Sequence, residues 1–346
     1  MPELPLIYDL DFQKISDLIN DWSDKSYRAD QIWKGLYQHL WSSPGDFTTL
    51  SKSLRQRLSD HFHFASLVPE KTISSSDGNT QKTLFRLMDG NYIETVLMNY
   101  RSRHTLCVSS QVGCALGCVF CATGQMGFRR DLSSGEIVEQ VLYFARLLNS
   151  SDQRVTNIVL MGMGEPFLNY DETMNAIYRL NNENGFNFGA RRFTISTVGI
   201  VPGIDRFTGE NSQINLAVSL HAANDELRSS MLPINKKYPI ADLLQACRRY
   251  VEKTRRRITF EYALIDGVND EVEHARQLAN LLKGLLCHVN LIPLNPTNKY
   301  SYKGSSISQV EAFKNILDEY HIPCSIRLRR GIDIQAGCGQ LANQEK

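Results

Sequence analysis

Three cysteines, Cys114, Cys118 and Cys121, stand in the run Cys-Ala-Leu-Gly-Cys-Val-Phe-Cys. Thiolates are soft ligands that suit iron–sulfur clusters. Three so close together can hold three irons of a four-iron cluster and leave the fourth iron open. A zinc site that lacks its fourth ligand is the competing chemistry. Structural zinc sites pair Cys-x2–4-Cys with a second, distant pair, and no such pair is visible. Two further thiols need separate weighing. Cys107 lies seven residues before the run, and Cys338 sits in Gly-Ile-Asp-Ile-Gln-Ala-Gly-Cys-Gly-Gln-Leu. A cysteine is most often a small buried filler, but a Gly-flanked stretch eight residues from the end reads as mobile. A mobile thiol can enter an active site. Cys247, Cys287 and Cys324 fall in helical or strand patterns and read as structural.

The elements that must position these thiols can be read from periodicity. Asp11–Trp22, Tyr27–His39 and Ser51–His61 carry apolar residues at helical spacing. Together they make a small helical module. A hairpin follows, with Lys82–Leu87 and Tyr92–Leu97 flanking the turn dipeptide Asp89-Gly90. Strands are then expected at Thr105–Ser109, Asn157–Met161, Arg192–Ser196, Asn215–Leu220, Thr259–Ala263 and Val289–Pro293, with a last one at Cys324–Leu328. Helices are expected near Ser134–Leu148, Tyr170–Asn182, Ile240–Lys253, Val272–Leu285 and Ser308–Tyr320. Such alternation implies parallel strands with crossover helices. The fold class is α/β: a partial (β/α)6 barrel with an N-terminal helical accessory domain and a β-hairpin. The expected division is 1–75 for the helical domain, 76–103 for the hairpin connector, 104–330 for the barrel core and 331–346 for the segment carrying Cys338. The helical module should pack on the barrel.

Ligands in parallel α/β folds gather at the carboxyl ends of the strands. Cys114 follows the first barrel strand. Cys-x3-Cys-x2-Cys with Phe120 before the third cysteine resembles the radical S-adenosylmethionine (SAM) superfamily, whose open iron binds the amino and carboxylate groups of SAM. The second strand ends in Met161-Gly162-Met163-Gly164-Glu165-Pro166. Small residues such as Gly164 let backbone approach a ligand, and Glu165 can accept hydrogen bonds from the SAM ammonium. Ser196, the Ser219-Leu220-His221 run and Asn295 end later strands and can give polar partners to the ribose and adenine.

Cys-Val-Ser-Ser-Gln-Val-Gly-Cys-Ala-Leu-Gly-Cys-Val-Phe-Cys-Ala-Thr-Gly, Gly-Met-Gly-Glu-Pro, Ser-Leu-His and Ala-Gly-Cys-Gly-Gln-Leu resemble the RlmN/Cfr radical-SAM RNA methyltransferases. Tyr-Arg-Ala-Asp-Gln-Ile-Trp-Lys-Gly-Leu-Tyr in the helical module extends the likeness over nearly the whole chain. Pro166, with Leu168-Asn169, is similar to the RlmN branch. Gly337 departs from the alanine common before the family's final cysteine. The resemblance implies a 4Fe–4S cluster and two SAM per turnover. It implies that Cys338 takes a methyl group from one SAM, that a radical from the second activates this methyl, and that the carbon adds to C2 of an adenine. Cys107 would resolve the adduct through a Cys107–Cys338 disulfide. Glu94, on the second hairpin strand, matches the proton acceptor; read without the resemblance it is an exposed strand carboxylate. The implied substrates are an adenosine of 23S rRNA near the peptidyl-transferase centre and the adenosine 3′ of the tRNA anticodon. An electron donor such as flavodoxin would be needed. The alternatives are a Cfr-type C8 methyltransferase, a radical-SAM enzyme acting on a small molecule, and a zinc-stabilised RNA-binding protein.

Composition bounds the rest. The chain has 346 residues, 42% hydrophobic, with a net charge of +1. No apolar run approaches the ~18 residues of a membrane span, and no signal peptide is evident. Eight cysteines, three of them clustered, fit a reducing cytoplasm better than a disulfide framework. A monomer is the default expectation. Basic residues are bunched at Arg129-Arg130, Arg191-Arg192, Arg255–Arg257, Arg327 and Arg329-Arg330. Such bunching permits phosphate binding. Arg329 and Arg330, just before the Cys338 segment, are expected to contact RNA.

Overall fold

The computed structural model describes residues 4–297, 300, 302–327 and 330–342. Three amphipathic helices open the chain: α1 (Phe12–Asp21), α2 (Tyr27–Tyr37) and α3 (Lys52–His61). Asp11 and Ser51 cap α1 and α3 by accepting from the amides of Lys14 and Leu54. A meander follows, made of β1 (Leu67–Ser74), β2 (Thr80–Leu87) and β3 (Tyr92–Tyr100), and β4 (Arg103–Cys107) pairs antiparallel to β3. Gly90 takes φ +79° in the β2–β3 turn, as the Asp-Gly dipeptide requires. β1 was not legible in the sequence, because its residues are nearly all exposed and no apolar alternation marks it.

A small antiparallel pair, β5 (Gln111–Gly113) and β6 (Phe128–Asp131), encloses the cysteine loop and the short α4 (Ala122–Met126). Then come α5 (Ser134–Asn149), β7 (Asn157–Leu160), α6 (Tyr170–Asn181), β8 (Phe193–Thr197), α7 (Val201–Gly209), β9 (Asn215–Ser219), α8 (Asp225–Met231), α9 (Ile240–Thr254), β10 (Ile258–Leu264), α10 (Val272–Leu282), β11 (Cys287–Pro293), α11 (Ile307–Glu319) and β12 (Cys324–Ile326). A capping box, in which Ser133 and Glu136 bond each other's amides, starts α5.

Strands β4, β7, β8, β9, β10, β11 and β12 lie side by side and parallel, and β1–β3 extend the sheet at the β4 edge. Among the described residues β12 and β4 do not pair, so the barrel stays open. The fold is the partial α/β barrel expected. Leu328, the expected last residue of β12, lies outside the described residues. The helical module shares one apolar core with the barrel. Arg179 donates to the carbonyls of Tyr8 and Asp9, Arg146 donates to the Tyr8 hydroxyl, and buried Glu139 accepts from the amide and hydroxyl of Ser66. No helix among the described residues is long and apolar enough to cross a membrane.

Candidate active site

Alternation along the strands sends every second side chain into the barrel. Register then fixes which residues share its interior. Cys107 pairs with Val96 on one side and Val159 on the other, Ser219 with Glu261, and Glu261 with Asn290. At the carboxyl ends of the strands a cavity is lined by Cys114, Cys118, Cys121, Gly164, Glu165, Ser196, Ser219, His221, Glu261, Asn295, Arg327 and Cys338. All but one of the expected SAM-contacting residues therefore meet the cluster cysteines in one place. Leu220 does not: its side chain is wholly buried in the core. In a strand-end run such as Ser-Leu-His only alternate side chains can face inward.

The three cysteines fit an iron–sulfur cluster on the donor chemistry alone. Burial pushes the Cys114 thiol up to about 12 and raises Cys118 and Cys121, and neighbouring thiols add to the shift at Cys114 and Cys118. The protein by itself thus opposes the thiolate form, which iron would stabilise there. Backbone amides of Leu116, Thr123 and Gly124 already point at the sulfurs of Cys114 and Cys121, as cluster sulfurs require. Among the described residues no three His, Cys, Asp or Glu side chains converge on a single ion position.

Gly164 has φ +101°, and a Cβ there would stand 2.5 Å from Gln111 Cβ. The glycine is thus needed for contact with the strand carrying Gln111, which accepts from the Glu165 amide. Glu165 is 4% exposed, and burial raises its carboxyl to about 7. Its oxygens accept from the amides of Phe167 and Val198 at 3.1 and 2.9 Å. The hydroxyls of Ser196 and Ser219 line the cavity and have no hydrogen bond among the described residues, which leaves them for a ligand. His221 adopts φ +59° and accepts from the Ala263 amide at Nδ1, 2.9 Å away. Burial, seconded by Arg228, lowers its pKa to about 3. The ring is therefore neutral, with Nε2–H left as a donor, and it stands edge-on to Phe120.

Three residues that sequence reasoning missed hold this wall. Arg228 is wholly buried and donates to the carbonyls of Val198, Ser219 and Leu220 and to Asn235 Oδ1. Burial lowers its pKa to about 10, so it stays charged at neutral pH. Asn269 ties His221 O to Ala263 O. Glu261, 4% exposed, accepts from Asn290 and lies 3.7 Å from Arg327 Nη1. A carboxylate at an inward strand position was the available signal for Glu261.

Cys338 and Arg327 line this cavity, and Cys107 lies within electrostatic reach of both. Burial takes the Cys107 thiol to about 12, with Cys338 adding to the rise and Arg327 opposing it. Burial raises Cys338 as well, and Arg327 again opposes it. Cys338 is exposed into the cavity, yet its segment is not loose. Asn295 Nδ2 donates to Cys338 O at 3.2 Å, Ala122 N to Gly339 O at 2.7 Å, Thr123 Oγ1 to Leu341 O at 2.7 Å, and Gln340 Nε2 to Pro296 O at 2.8 Å. The expectation of a free tail is therefore corrected: polar groups from the cysteine loop and the loop after β11 pin it. Glu94 is not an exposed strand carboxylate either. It is 2% exposed, 2.9 Å from Lys82 Nζ, and accepts from the Ala342 amide. Arg330 places its guanidinium 4.4 Å over the Tyr100 ring, as Arg103 does; Arg329 lies outside the described residues.

A cysteine triad at the head of an open parallel barrel, with free donors and acceptors around it, is the site of a radical-SAM enzyme. The profile of the Radical SAM superfamily matches residues 108–279, and that of the ribosomal RNA large subunit methyltransferase N-terminal domain matches residues 6–64. A probable dual-specificity RNA methyltransferase RlmN of Chloroflexus aurantiacus is 47% identical over 98% of this chain and 93% of its own. Dual-specificity RNA methyltransferase RlmN 1 of Myxococcus xanthus is 47% identical over 97% and 93%. A crystal structure of a radical SAM methyltransferase from Sphaerobacter thermophilus superposes with a TM-score of 0.96 at 50% identity, covering 98% of this chain and 100% of that one. The chain belongs to the RlmN family. Its cofactors are a 4Fe–4S cluster and SAM.

Proposed function

We propose that this enzyme methylates C2 of an adenosine in 23S rRNA and of the adenosine 3′ of the anticodon in tRNA, with Cys338 carrying the methyl group as S-methylcysteine. The observation that carries this reading is that Cys338 and Arg327 line one cavity with the cluster cysteines, with Cys107 within electrostatic reach of both. A radical enzyme acting on a free small molecule has no use for that second thiol pair. The RNA-methylating relatives and Pro166 support the RlmN-type C2 product over the Cfr-type C8 product.

When bound, the cluster and SAM supply the radical chemistry. The chain supplies the rest. Cys114, Cys118 and Cys121 would hold three irons of the cluster. Gly164, Glu165, Ser196, Ser219, His221 and Asn295 would hold SAM, with Leu220 contributing backbone only. The Cys338 thiolate attacks the methyl carbon of one SAM, so that an S–CH3 bond forms at Cys338 as the sulfonium–methyl bond breaks and S-adenosylhomocysteine leaves. Arg327, beside both thiols, favours their ionised forms. Glu94 accepts the proton that leaves the adenine carbon. The Cys107 thiolate then attacks the Cys338 sulfur: the S–S bond forms as the bond from that sulfur to the RNA-bound methylene breaks, and the electron pair left on that carbon takes up a proton, giving the methyl group and free RNA.

The barrel's amino-terminal end supports an RNA partner. A cavity of about 790 Å³ there is lined by Arg103, Arg255, Arg256 and Arg257, and an adjoining cleft by Arg154 and Arg192. Among the described residues, Arg103, Arg154, Arg192, Arg255 and Arg257 have no carboxylate within salt-bridge distance. Unpaired guanidinium groups suit phosphate. We further propose the division into helical domain (1–75), connector (76–103), core (104–330) and Cys338 segment (331–346), a monomeric state, a cytoplasmic location and a flavodoxin-type electron donor.

Peptide mass spectrometry of cluster-reconstituted enzyme after incubation with SAM tests the intermediate. A methyl group on the Cys338 peptide, absent from Cys338→Ala, is expected. Methylated RNA made by Cys338→Ala would refute the role.

A further inference from the structure

Lys82 and Glu94 form a buried ion pair on the inner face of the meander, with side chains 7% and 3% exposed. Register explains how they meet. Lys82 pairs with Val96 and Leu84 with Glu94, so the two charges are diagonal neighbours on one face. Val96 also pairs with Cys107, which puts that thiol in the same row. A buried pair is costly unless its remaining donors and acceptors are used. Here both are used on one target. Lys82 Nζ donates to Gln335 O at 3.1 Å, and Glu94 Oε2 accepts from Ala342 N at 2.9 Å. Gln335 and Ala342 bracket Cys338, three residues before it and four after. The β1–β2 turn reinforces the near side, where Ser76 N donates to Asp333 Oδ2 at 2.7 Å.

We propose that Lys82 is a positioning residue: paired with Glu94, its ammonium closes a charged clasp on both ends of the 335–342 segment and fixes where the Cys338 thiol stands. Lys82 touches neither thiol nor cofactor and acts through Gln335 and Glu94. Its catalytic relevance depends on the methyl-carrying role of Cys338 proposed above, whereas the clasp itself is a property of the chain alone.

The test uses the full chain without cofactors. Amide hydrogen exchange of the 335–342 peptide, and the rate at which iodoacetamide labels Cys338, are compared in wild type, Lys82→Met and Lys82→Arg. Hydrogen bonds to charged groups are among the strong ones, so Lys82→Met should speed exchange in this peptide about tenfold or more. Cys338 labelling should rise with it, and Lys82→Arg should restore both. Peptides of β9 and β10 should exchange as in wild type. Lys82→Met leaves Glu94 buried and unpaired, which can prevent folding. The double variant Lys82→Met/Glu94→Met removes both charges and should give the same local gain in exchange. Unchanged exchange at 335–342 in either folded variant, or a gain spread equally over β9 and β10, overturns the clasp. Because neither readout involves methylation, a faster segment with an unmethylated Cys338 would keep the clasp and remove the S-methylcysteine reading.

Discussion

Arg228→Met isolates what holds the SAM-side wall. The methionine fills much of the same space and removes only the guanidinium. Four hydrogen bonds disappear, to the carbonyls of Val198, Ser219 and Leu220 and to Asn235 Oδ1. Leu220 O keeps the Ala222 amide as a partner. Val198 O and Asn235 Oδ1 keep none that replaces the lost donors. Orphaned buried acceptors cost about 1–3 kcal/mol each. Relief from burying the arginine charge offsets part of this. Removing one member of a buried charged network leaves a net loss of about 3–5 kcal/mol. At ~2.1 cal/mol/K of unfolding entropy per residue, over 346 residues, that lowers Tm by about 4–7 °C. Ser219 and Val198 line the cavity, so SAM binding should weaken about tenfold or more, each 1.4 kcal/mol being a factor of ten. Thermal melts and SAM titration of the reconstituted enzyme read both. A Tm within about 1 °C of wild type, or unchanged SAM affinity at a lowered Tm, would refute the positioning argument.

Other outcomes follow from separate parts of the molecule. Glu139, remote from the cluster, is raised from 4.5 to about 7 by burial. The folded state therefore holds its proton more tightly than the unfolded state. Its stabilising contribution is full below the unfolded value and is lost as pH rises through about 7, a fall of about 3 kcal/mol at 1.36 kcal/mol per unit. Thermal melts at acid and alkaline pH should show this slope in wild type and not in Glu139→Gln; equal slopes would contradict it. A Cβ at Gly337 would stand 2.6 Å from Asn295 Nδ2 and 2.7 Å from Gln340 Oε1. Gly337→Ala should break the Asn295–Cys338 hydrogen bond, worth about 1 kcal/mol, and speed alkylation of Cys338 severalfold; an unchanged rate would mean the amide does not hold the segment. Arg255→Glu/Arg257→Glu should weaken RNA binding and lower the log–log salt slope by about 0.7–0.9 for each phosphate no longer neutralised. Identical slopes would take both arginines off the RNA surface.

Much of this was legible in the residues. The cysteine spacing located the cluster loop, and strand alternation located the cavity wall at Ser196, Ser219 and His221. The Leu220 side chain turns into the core because a motif is contiguous while a strand faces two ways, which leaves only its backbone toward the cavity. Arg228 and Asn269 escaped notice because each serves carbonyl oxygens of other loops, and backbone acceptors leave no trace in sequence. Glu94 looked exposed because its partner Lys82 is diagonal across a register that the hairpin pattern alone does not reveal. The tail around Cys338 looked free because its anchors, Thr123, Asn295 and Glu94, lie far from it along the chain.

The methylated carbon of the product distinguishes RlmN-type from Cfr-type chemistry. Nucleoside mass spectrometry after anaerobic reaction of the reconstituted enzyme with SAM, a reductant, and 23S rRNA or tRNA identifies it most directly. 2-Methyladenosine in both RNAs is the predicted result. 8-Methyladenosine, or SAM cleavage with no methylated adenosine, would contradict it.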